Sequence, residues 1–351
     1  MGSVKDLVEH LGQDGCVFGE FIFSDRYSVF DYGEMPDLIP NKGAALAIIA
    51  ACAFERLEKT TRIKSHYKGL ISQNRTPVFI ESLENSTDTM MVNLVRVKKP
   101  EFSSGVYDYS QYKVDNLKNL LIPFEFIYRN KLPKGSSVFL RLEKGLLNYK
   151  DLRLDHMPVF GEVLPKPFFE ITTKLERTDR FVTFDQVRGM IGVSNEEIYE
   201  MILVLSQVEK VVSTMTNEVG LSNDDGKIEL AFNSDGEIIV VDVFGTPDEC
   251  RFSYQGIQLS KEILRQYYMT TPWYDEIKIA KEKAKNVEVE DWQQFCPKPD
   301  PLPQELINLV SMVYKSMANA FLGRKIFADV PDLPEIAEIY VEFWNRFQRH
   351  S

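Results

Sequence analysis

The alternation of apolar and polar positions in the first part of the chain predicts several strands and one buried helix. Residues 17–23 read VFGEFIF, a strand-like run, and further strands are predicted near 77–80, 90–97 and 122–129. The apolar run from Ala44 to Phe54 is too short to cross about 30 Å of hydrocarbon, so it predicts a buried helix. This part of the chain is therefore expected to mix strands with helix.

A long amphipathic helix is predicted over about residues 195–216. Ser194 and Glu197 have the spacing of a capping box, and apolar residues then recur at helical intervals. Two more helical stripes, at 303–321 and 336–347, are typical of helices that cover a core. The C-terminal part of the chain is therefore predicted to be helical.

A β-hairpin is predicted next. The β-patterned runs 227–232 and 237–243 are separated by a turn that contains Asp235 and Gly236. An Asp-Gly pair is a strong signal for a two-residue hairpin turn. We therefore place these two residues at the centre of the turn.

This hairpin is a candidate metal site. With that turn, Glu229 lies directly opposite Asp242, and facing residues of an antiparallel pair have Cβ atoms about 4.5–5.5 Å apart. Magnesium takes oxygen ligands from one or two carboxylates and completes its shell with water and phosphate. Lys227 falls on the same face, where its ammonium group could contact phosphates. Alternating polar residues on a hairpin are, however, more often simply its solvated face.

Composition and charge exclude several classes of protein. The chain has 351 residues, 44% of them hydrophobic and 26% charged, which is typical of a soluble folded protein long enough for two lobes. Its net charge of −11 disfavours nucleic acid and anionic membranes as partners. The four cysteines are scattered without CxxC spacing, which fits the reducing cytoplasm.

Short motifs before and after the hairpin follow one another in an order that resembles the SAICAR synthetase family. In chain order they are SDRYSVFD at 24–31, IPNKG at 39–43, IPFEFIYR at 122–129, TK at 173–174, DGKIE at 225–229, TPDECRF at 246–252 and SKEILR at 260–265. The resemblance extends over residues 2 to about 275, and the last 75 or so residues are not needed for it.

The resemblance implies an α+β fold with two lobes, related to the nucleotide-binding architectures of ATP-grasp enzymes and protein kinases, and a C-terminal helical extension. The expected parts are an N-terminal nucleotide-binding lobe at 1–98, an inserted excursion at 99–120, a central α+β lobe with the metal and ribonucleotide sites at 121–275, and a helical segment at 276–351.

The reaction implied by the resemblance is an ATP-dependent amide ligation. ATP phosphorylates the carboxylate of carboxyaminoimidazole ribonucleotide, and the amino group of L-aspartate displaces the phosphate, which yields SAICAR, ADP and phosphate for purine biosynthesis. ATP and Mg²⁺ are the expected cofactors. Similar enzymes are commonly homodimers, although no interface can be read from this sequence.

The resemblance also assigns roles to individual residues. The expected ATP-binding residues are Lys5, Lys227, Glu229 and Asp242, of which Glu229 and Asp242 hold the metal. The expected catalytic residues are Lys227, Asp248 and Arg251. The expected ribonucleotide-binding residues are Arg129, Ser136, Asp248, Arg251, Lys261 and Arg265. The pocket in which aspartate meets the transferred phosphoryl group is expected to contain Asp31 and Lys42.

Two departures from the family pattern keep alternatives open. Ser3 stands where the family usually has lysine, and Val243 replaces an acidic residue that commonly follows the metal-binding aspartate. A related amide ligase or phosphotransferase with another phosphorylated substrate or amine is therefore one alternative, and a noncatalytic relative is another. A noncatalytic relative would have little reason to keep Lys227, Glu229 and Asp242 together.

Overall fold

Strands and helices are interspersed along the chain, as the mixed pattern predicts. A computed structural model describes residues 4–11, 17–113, 117–287, 289 and 291–350. Its strands are β1 (Lys5–Leu11), β2 (Val17–Phe23), β3 (Tyr67–Ile71), β4 (Pro77–Val78), β5 (Thr89–Asn93), β6 (Glu101–Ser103), β7 (Val106–Asp108), β8 (Leu120–Leu132), β9 (Glu162–Thr173), β10 (Phe181–Val182), β11 (Ser222–Phe232), β12 (Ile238–Val241), β13 (Cys250–Tyr254) and β14 (Ile257–Gln258). Its α-helices are α1 (Lys42–Thr60), α2 (Ser110–Lys113), α3 (Ser137–Glu143), α4 (Phe184–Ile191), α5 (Asn195–Glu218), α6 (Glu262–Met269), α7 (Trp273–Asn286), α8 (Gln304–Leu322) and α9 (Leu333–His350).

The chain divides into two compact units, each made of separate segments. The first unit takes the chain up to Ala51, Lys68–Val92 and everything from Ile257 onward. The second takes Cys52–Tyr67 and Asn93–Gly256. The domain bounds expected at residues 98, 120 and 275 stay a prediction.

Each unit contains its own sheet. In the first unit the strand order is β1-β2-β5-β3-β4, and helices α6 to α9 belong to the same unit. In the second unit the order is β10-β9-β8-β11-β13, and β12 also pairs with β11. All the pairs around β8 and β11 are antiparallel, and α5 packs against β8 and β11. The second sheet carries the hairpin that the sequence singles out.

Several elements confirm the sequence pattern closely. Strand β2 has the predicted bounds, and α1 contains the apolar run, whose residues are almost all fully buried. Helix α5 begins with a complete capping box, in which Ser194 accepts from the backbone of Glu197 and Glu197 accepts from the backbone of Ser194. Helices α8 and α9 correspond to the two C-terminal stripes. The spacing of apolar residues, together with the capping box of α5, therefore predicts these elements well.

The predicted register of the hairpin is wrong by one residue. Phe232 pairs with Ile238, so Glu229 faces Val241 instead of Asp242. The cause is Asn233, whose side-chain oxygen accepts hydrogen bonds from the backbone N–H groups of Asp235 and Glu237 (both 2.9 Å). An Asn side chain that bonds its own backbone in this way builds a longer turn. The turn therefore spans residues 233–237 instead of two central residues.

Three of the four cysteines lie in the described part of the chain. Cys52, Cys250 and Cys296 are buried free thiols, and Cys16 lies outside the described residues. Within the described ranges, none of the helices has the length and apolar character needed to cross a membrane.

Candidate active site

One face of the second unit's sheet is polar across three neighbouring strands. Directly opposite residues of an antiparallel pair project to the same face, and every second residue along a strand does so as well. Asp225, Lys227 and Glu229 of β11 therefore share a face, and Glu229 lies opposite Glu125 while Asp225 lies opposite Arg129 on β8. This polar face is the candidate active site.

The other face of the same strands is packed tightly. Asn130 of β8 donates a hydrogen bond to Glu209 of α5 (3.0 Å), so the helix covers this face. A Cβ atom added to Gly226 would lie 2.3 Å from the hydroxyl oxygen of Tyr128 and 2.7 Å from the sulfur of Cys250. Close packing therefore requires a glycine between Asp225 and Lys227, because a side chain there would clash with Tyr128 and Cys250.

At one end of the polar face, carboxylates outnumber cations. We call this group the carboxylate cluster, and its members are Glu125, Glu229, Asp242, Glu249, Lys174 and Lys227. Lys227 lies 2.9 Å from Glu125 and 3.0 Å from Glu249. Lys174 donates a short hydrogen bond to Glu229 and lies 3.7 Å from Glu125. Four carboxylates against two ammonium groups leave a net negative charge.

Asp242 reaches the cluster by a bend in the backbone. It follows the last residue of β12 and has a left-handed conformation with φ of 62°, which Asp tolerates better than most residues. Its carbonyl oxygen accepts a hydrogen bond from Nε2 of the buried His66 (2.9 Å), which requires the proton on Nε2. Although Asp242 does not face Glu229 directly, the two carboxylates interact electrostatically. The predicted face-to-face pairing of these two acids is wrong, and their joint metal site stays a prediction.

The electrostatics of the cluster favour an added cation. Burial raises the pKa of Glu229 to about 8, and the neighbouring charge of Asp242 adds to that shift, while Lys174 and Lys227 oppose it. Burial alone would lower the pKa of Lys174, but Glu229, Asp242 and Glu125 outweigh it and raise that pKa.

These residues fit a magnesium ion that is only partly held by protein. Among the described residues, no group of three or more His, Cys, Asp or Glu side chains is arranged to hold a metal ion by itself. Mg²⁺ needs no such cage, since one or two carboxylates suffice when nucleotide phosphate and water complete the shell. Glu229 is buried beside the negative charge of Asp242, and both effects raise its pKa, so a divalent cation bound between the two acids would be favoured electrostatically.

At the other end of the polar face, cations outnumber carboxylates. We call this group the arginine cluster, and its members are Arg129, Arg141, Arg251, Glu170 and Asp225. Arg129 donates to Glu170 through Nε (2.6 Å) and to Asp225 through Nη1 (3.0 Å). Arg251 donates to the same oxygen of Asp225 (2.5 Å), and Arg141 donates to Glu170. Three guanidinium groups against two carboxylates leave a net positive charge.

The members of the arginine cluster differ in exposure. The side chain of Arg129 is only 6% exposed, and its Nη2 donates a hydrogen bond to the hydroxyl of Ser137 at the start of α3 (3.2 Å). The side chain of Arg251 is 19% exposed. Arg129 is therefore a buried link between three strands, whereas Arg251 is the more accessible cation of the cluster.

Two other predicted residues of this unit, Ser136 and Asp248, are close in sequence to members of the arginine cluster. Ser136 is buried and caps α3, where its hydroxyl accepts from the backbone of Val138 (3.4 Å). Asp248 is half-buried in the segment between Asp242 and Arg251. Their predicted contacts with a ribonucleotide stay a prediction.

The remaining predicted residues belong to the first unit. Lys42 is fully buried at the start of α1, with its ammonium 5.4 Å from the ring centre of Tyr314. Asp31 is exposed, with φ of 62°. Lys5 begins β1, Lys261 precedes α6, and Arg265 within α6 donates to Glu262 (3.0 Å). Ser3, a departure from the family pattern, lies outside the described residues.

Sequence reasoning missed four functional candidates on the polar face. Lys174 and Glu125 lie inside quoted motifs but received no role, and their positions in those motifs were the available signal. Glu170 and Arg141 lie outside every motif. Glu170 pairs with Ile127 of β8, which projects to the same face as Arg129, so only strand pairing brings Glu170 to that face, where Arg141 contacts it. Tertiary pairing was needed to find them.

Known proteins resemble this chain in sequence and in fold. The SAICAR synthetase family model matches residues 2–280. A putative phosphoribosylaminoimidazole-succinocarboxamide synthase from Archaeoglobus fulgidus is 43% identical over 340 residues, covering 96% of this chain and 97% of the relative. The corresponding synthase from Thermoplasma acidophilum is 33% identical and covers 92% of this chain and 98% of its own length. The solved structure of SAICAR synthase from Saccharomyces cerevisiae complexed with SAICAR has a TM-score of 0.61 at 20% identity, covering 93% of this chain and 94% of that one, and shows the same α+β fold.

Proposed function

Because the chain belongs to the SAICAR synthetase family, we propose that it joins L-aspartate to the carboxylate of carboxyaminoimidazole ribonucleotide in an ATP-dependent reaction. The products are SAICAR, ADP and phosphate. The reaction needs two steps, since the carboxylate is first phosphorylated and the aspartate amine then displaces the phosphate from the acyl carbon.

The observation that carries this proposal is the opposite net charge of the two clusters on one sheet face. A ligase of this type must hold a nucleotide with its cation and a phosphorylated substrate side by side. The carboxylate cluster has the acids that a divalent cation requires. The arginine cluster has planar guanidinium groups, which can donate two parallel hydrogen bonds to a phosphate or carboxylate group. Strand β11 contributes Asp225 to one cluster and Glu229 to the other, which sets their separation.

At the carboxylate cluster, Glu229 and Asp242 would hold Mg²⁺, which when bound would neutralise charge on the transferring phosphoryl group. Lys227 and Lys174 would lie at the nucleotide phosphates. Burial alone would lower the pKa of Lys227, but Glu249, Glu125 and Glu229 raise it well above its ordinary value, so the ammonium stays charged. The lysines would thus act by fixed positive charge and not by proton transfer.

At the arginine cluster, Arg251 would grip the ribonucleotide, with Asp248 beside it. The side chain of Arg251 is 19% exposed and donates to Asp225, and its planar guanidinium group suits two parallel hydrogen bonds to an anion. Arg129 would contribute mainly by holding Asp225 and Glu170 in place. Catalysis would then consist of positioning and charge neutralisation without a covalent enzyme intermediate.

Other parts of the proposal are supported by resemblance alone. They are the two-lobed arrangement related to ATP-grasp enzymes and protein kinases, the roles of Lys5, Asp31, Lys42, Lys261 and Arg265, the contact of Ser136 with the ribonucleotide, the homodimer and the cytoplasmic location.

A coupled assay of ADP release tests the proposed reaction. The purified chain is supplied with MgATP, carboxyaminoimidazole ribonucleotide and L-aspartate, and each component is omitted in turn. We expect ADP release and SAICAR formation only with all three. Replacing aspartate by glutamate, asparagine or ammonia tests the choice of amine.

The possible outcomes separate the alternatives. Turnover with another amine and none with aspartate would overturn the SAICAR assignment while leaving an amide ligase. ADP release with the ribonucleotide alone, at the full rate and without an amine, would indicate a phosphotransferase. No ATP turnover under any combination would support a noncatalytic relative.

A further inference from the structure

The described residues of the excursion predicted at 99–120 include a small hairpin and a short helix. Strands β6 and β7 form a hairpin in which Phe102 pairs with Tyr107, and the helix α2 follows. The turn residues Ser104 and Gly105 both have positive φ, as in a tight hairpin turn. An isolated two-stranded hairpin is only marginally stable in water, and most of this one is exposed. Its contacts with the rest of the unit must therefore hold it.

One contact comes from Tyr109, which follows the hairpin. Its ring is buried and stacks on Phe124 of β8, with ring centres 5.8 Å apart. Its hydroxyl donates a hydrogen bond to Glu176 (2.9 Å), whose side chain is 4% exposed. The same carboxylate accepts from Arg180 (2.7 Å). Tyr109 thus ties the excursion to the segment that follows β9.

A second set of contacts comes from the hairpin itself. The guanidinium carbon of Arg177 lies 4.2 Å from the ring centre of Phe102, a close cation–π contact. The backbone N–H of Arg177 donates to the hydroxyl of Tyr107 (2.7 Å). Both consecutive residues Glu176 and Arg177 are therefore held by aromatic residues of the excursion.

The segment held in this way begins with Lys174. Strand β9 ends at Thr173, and the loop 174–180 closes when the backbone of Arg180 donates to the Thr173 hydroxyl (3.0 Å). The backbone of Lys174 donates to the carbonyl of Pro123 (3.2 Å). Lysine carries a flexible four-carbon stem, so the position of its ammonium depends on how firmly its backbone is held. Here that ammonium meets Glu229 in the carboxylate cluster.

We propose that the excursion is a positioning element that holds the loop 174–180 and thereby aims Lys174 into the carboxylate cluster. The inference rests on the proposed function, in which Lys174 faces the nucleotide phosphates. The competing explanation is that the excursion only covers apolar surface and adds stability. The two explanations differ in whether loosening the excursion changes nucleotide use through Lys174.

Two matched tyrosine variants of the full-length protein test the proposal. Tyr109→Phe removes the hydrogen bond to Glu176 and keeps the ring on Phe124. Tyr112→Phe, in the same excursion, removes a hydrogen bond to the carbonyl of Lys98 and leaves the loop untouched. We expect Tyr109→Phe to raise the KM for MgATP about five-fold, the change that one lost hydrogen bond supports, while the KM for the ribonucleotide stays constant. Tyr112→Phe should leave both values unchanged.

A double-variant cycle with Lys174→Met decides whether the effect passes through Lys174. In the Lys174→Met protein, adding Tyr109→Phe should cause no further rise in the KM for MgATP. Phe102→Leu, at an exposed position, provides a second variant that removes the cation–π contact and should act in the same direction. Equal effects of Tyr109→Phe and Tyr112→Phe, or an undiminished effect of Tyr109→Phe without Lys174, would overturn the proposal.

Amide hydrogen exchange gives a readout that does not depend on the reaction. Tyr109→Phe and Phe102→Leu should speed exchange in residues 174–180, and Tyr112→Phe should not. Unchanged exchange in both loop-directed variants would also overturn the proposal. If the wild-type protein shows no ATP-dependent ligation, the proposed function fails, and the exchange result still decides whether the excursion holds the loop.

Discussion

The two ends of the polar sheet face are built from similar residues and yet have opposite electrostatic character. In the carboxylate cluster, Lys174 and Lys227 are partly exposed and form ion pairs with Glu125, Glu229 and Glu249. In the arginine cluster, Arg129 is almost fully buried, and two carboxylates are shared among three guanidinium groups. One end therefore lacks positive charge, and the other has an excess of it.

This difference shows how one strand can serve two ligands. Asp225, Lys227 and Glu229 alternate along β11 and share a face, so the strand contributes to both clusters within five residues. Buried arginines with several hydrogen bonds make a rigid base at one end of the face, whereas carboxylates outnumber ammonium groups at the other end.

The largest effect is expected from Asp242→Asn at the carboxylate cluster. The change removes one of the two acids proposed to hold Mg²⁺, and turnover should fall about a thousandfold, as when a charge-stabilising group is lost from an active site. Steady-state ADP release measures this, and circular dichroism checks the fold. Asp235→Asn, at the exposed turn of the same hairpin, is the matched control and should keep normal turnover. Near-normal turnover of Asp242→Asn would refute the metal site.

A smaller and selective effect is expected from Arg251→Gln at the arginine cluster. Loss of a charge-assisted grip should raise the KM for the ribonucleotide about 10- to 100-fold while the KM for MgATP changes little. Initial-rate kinetics with each substrate varied in turn measure the two values. Arg188→Gln, which affects an exposed ion pair with Asp185 and an exposed hydrogen bond to Asn195, is the control. An equal rise in both KM values would indicate that the clusters are not separate sites.

Gly226→Ala should disturb both clusters through the sheet that supports them. The new methyl would lie within 2.7 Å of Tyr128 and Cys250, so we expect a loss of about 1–3 kcal/mol in the free energy of unfolding. Urea denaturation measures it. Gly189→Ala, in α4 with open space around it, should be neutral or stabilise by about 0.5–1 kcal/mol. Similar stabilities for the two variants would contradict the tight packing behind β11.

The smallest effect is a pH-dependent stabilisation by Mg²⁺. The pKa of Glu229 is raised from 4.5 to about 8 by burial and by Asp242, so its contribution to stability is full below pH 4.5 and is lost as pH rises through about 8. A bound cation relieves this loss. The rise in melting temperature caused by Mg²⁺ should therefore grow from mildly acidic pH to pH 8 by a few degrees. Differential scanning fluorimetry measures it, and Glu229→Gln should remove the pH dependence.

Much of the fold and part of the site could be predicted without coordinates. The capping box of α5, the apolar run of α1 and the strand-turn-strand pattern of β11 and β12 are local signals, and all three elements form as expected. The register of the hairpin was missed, because one Asn side chain lengthened the turn. Local patterns do not reveal how side chains compete for the backbone.

The sequence by itself determined which chemistry the molecule carries, because residue types and their order along β11 and its flanking motifs are local properties of the chain. Only the tertiary structure decided which charges meet. Lys174 and Glu125 come from other strands, Asp242 arrives through a left-handed bend, and the excursion meets the loop 174–180 across 65 or so residues of chain. Pairing between distant strands has no local signature, so these contacts appear only when the sheet is assembled.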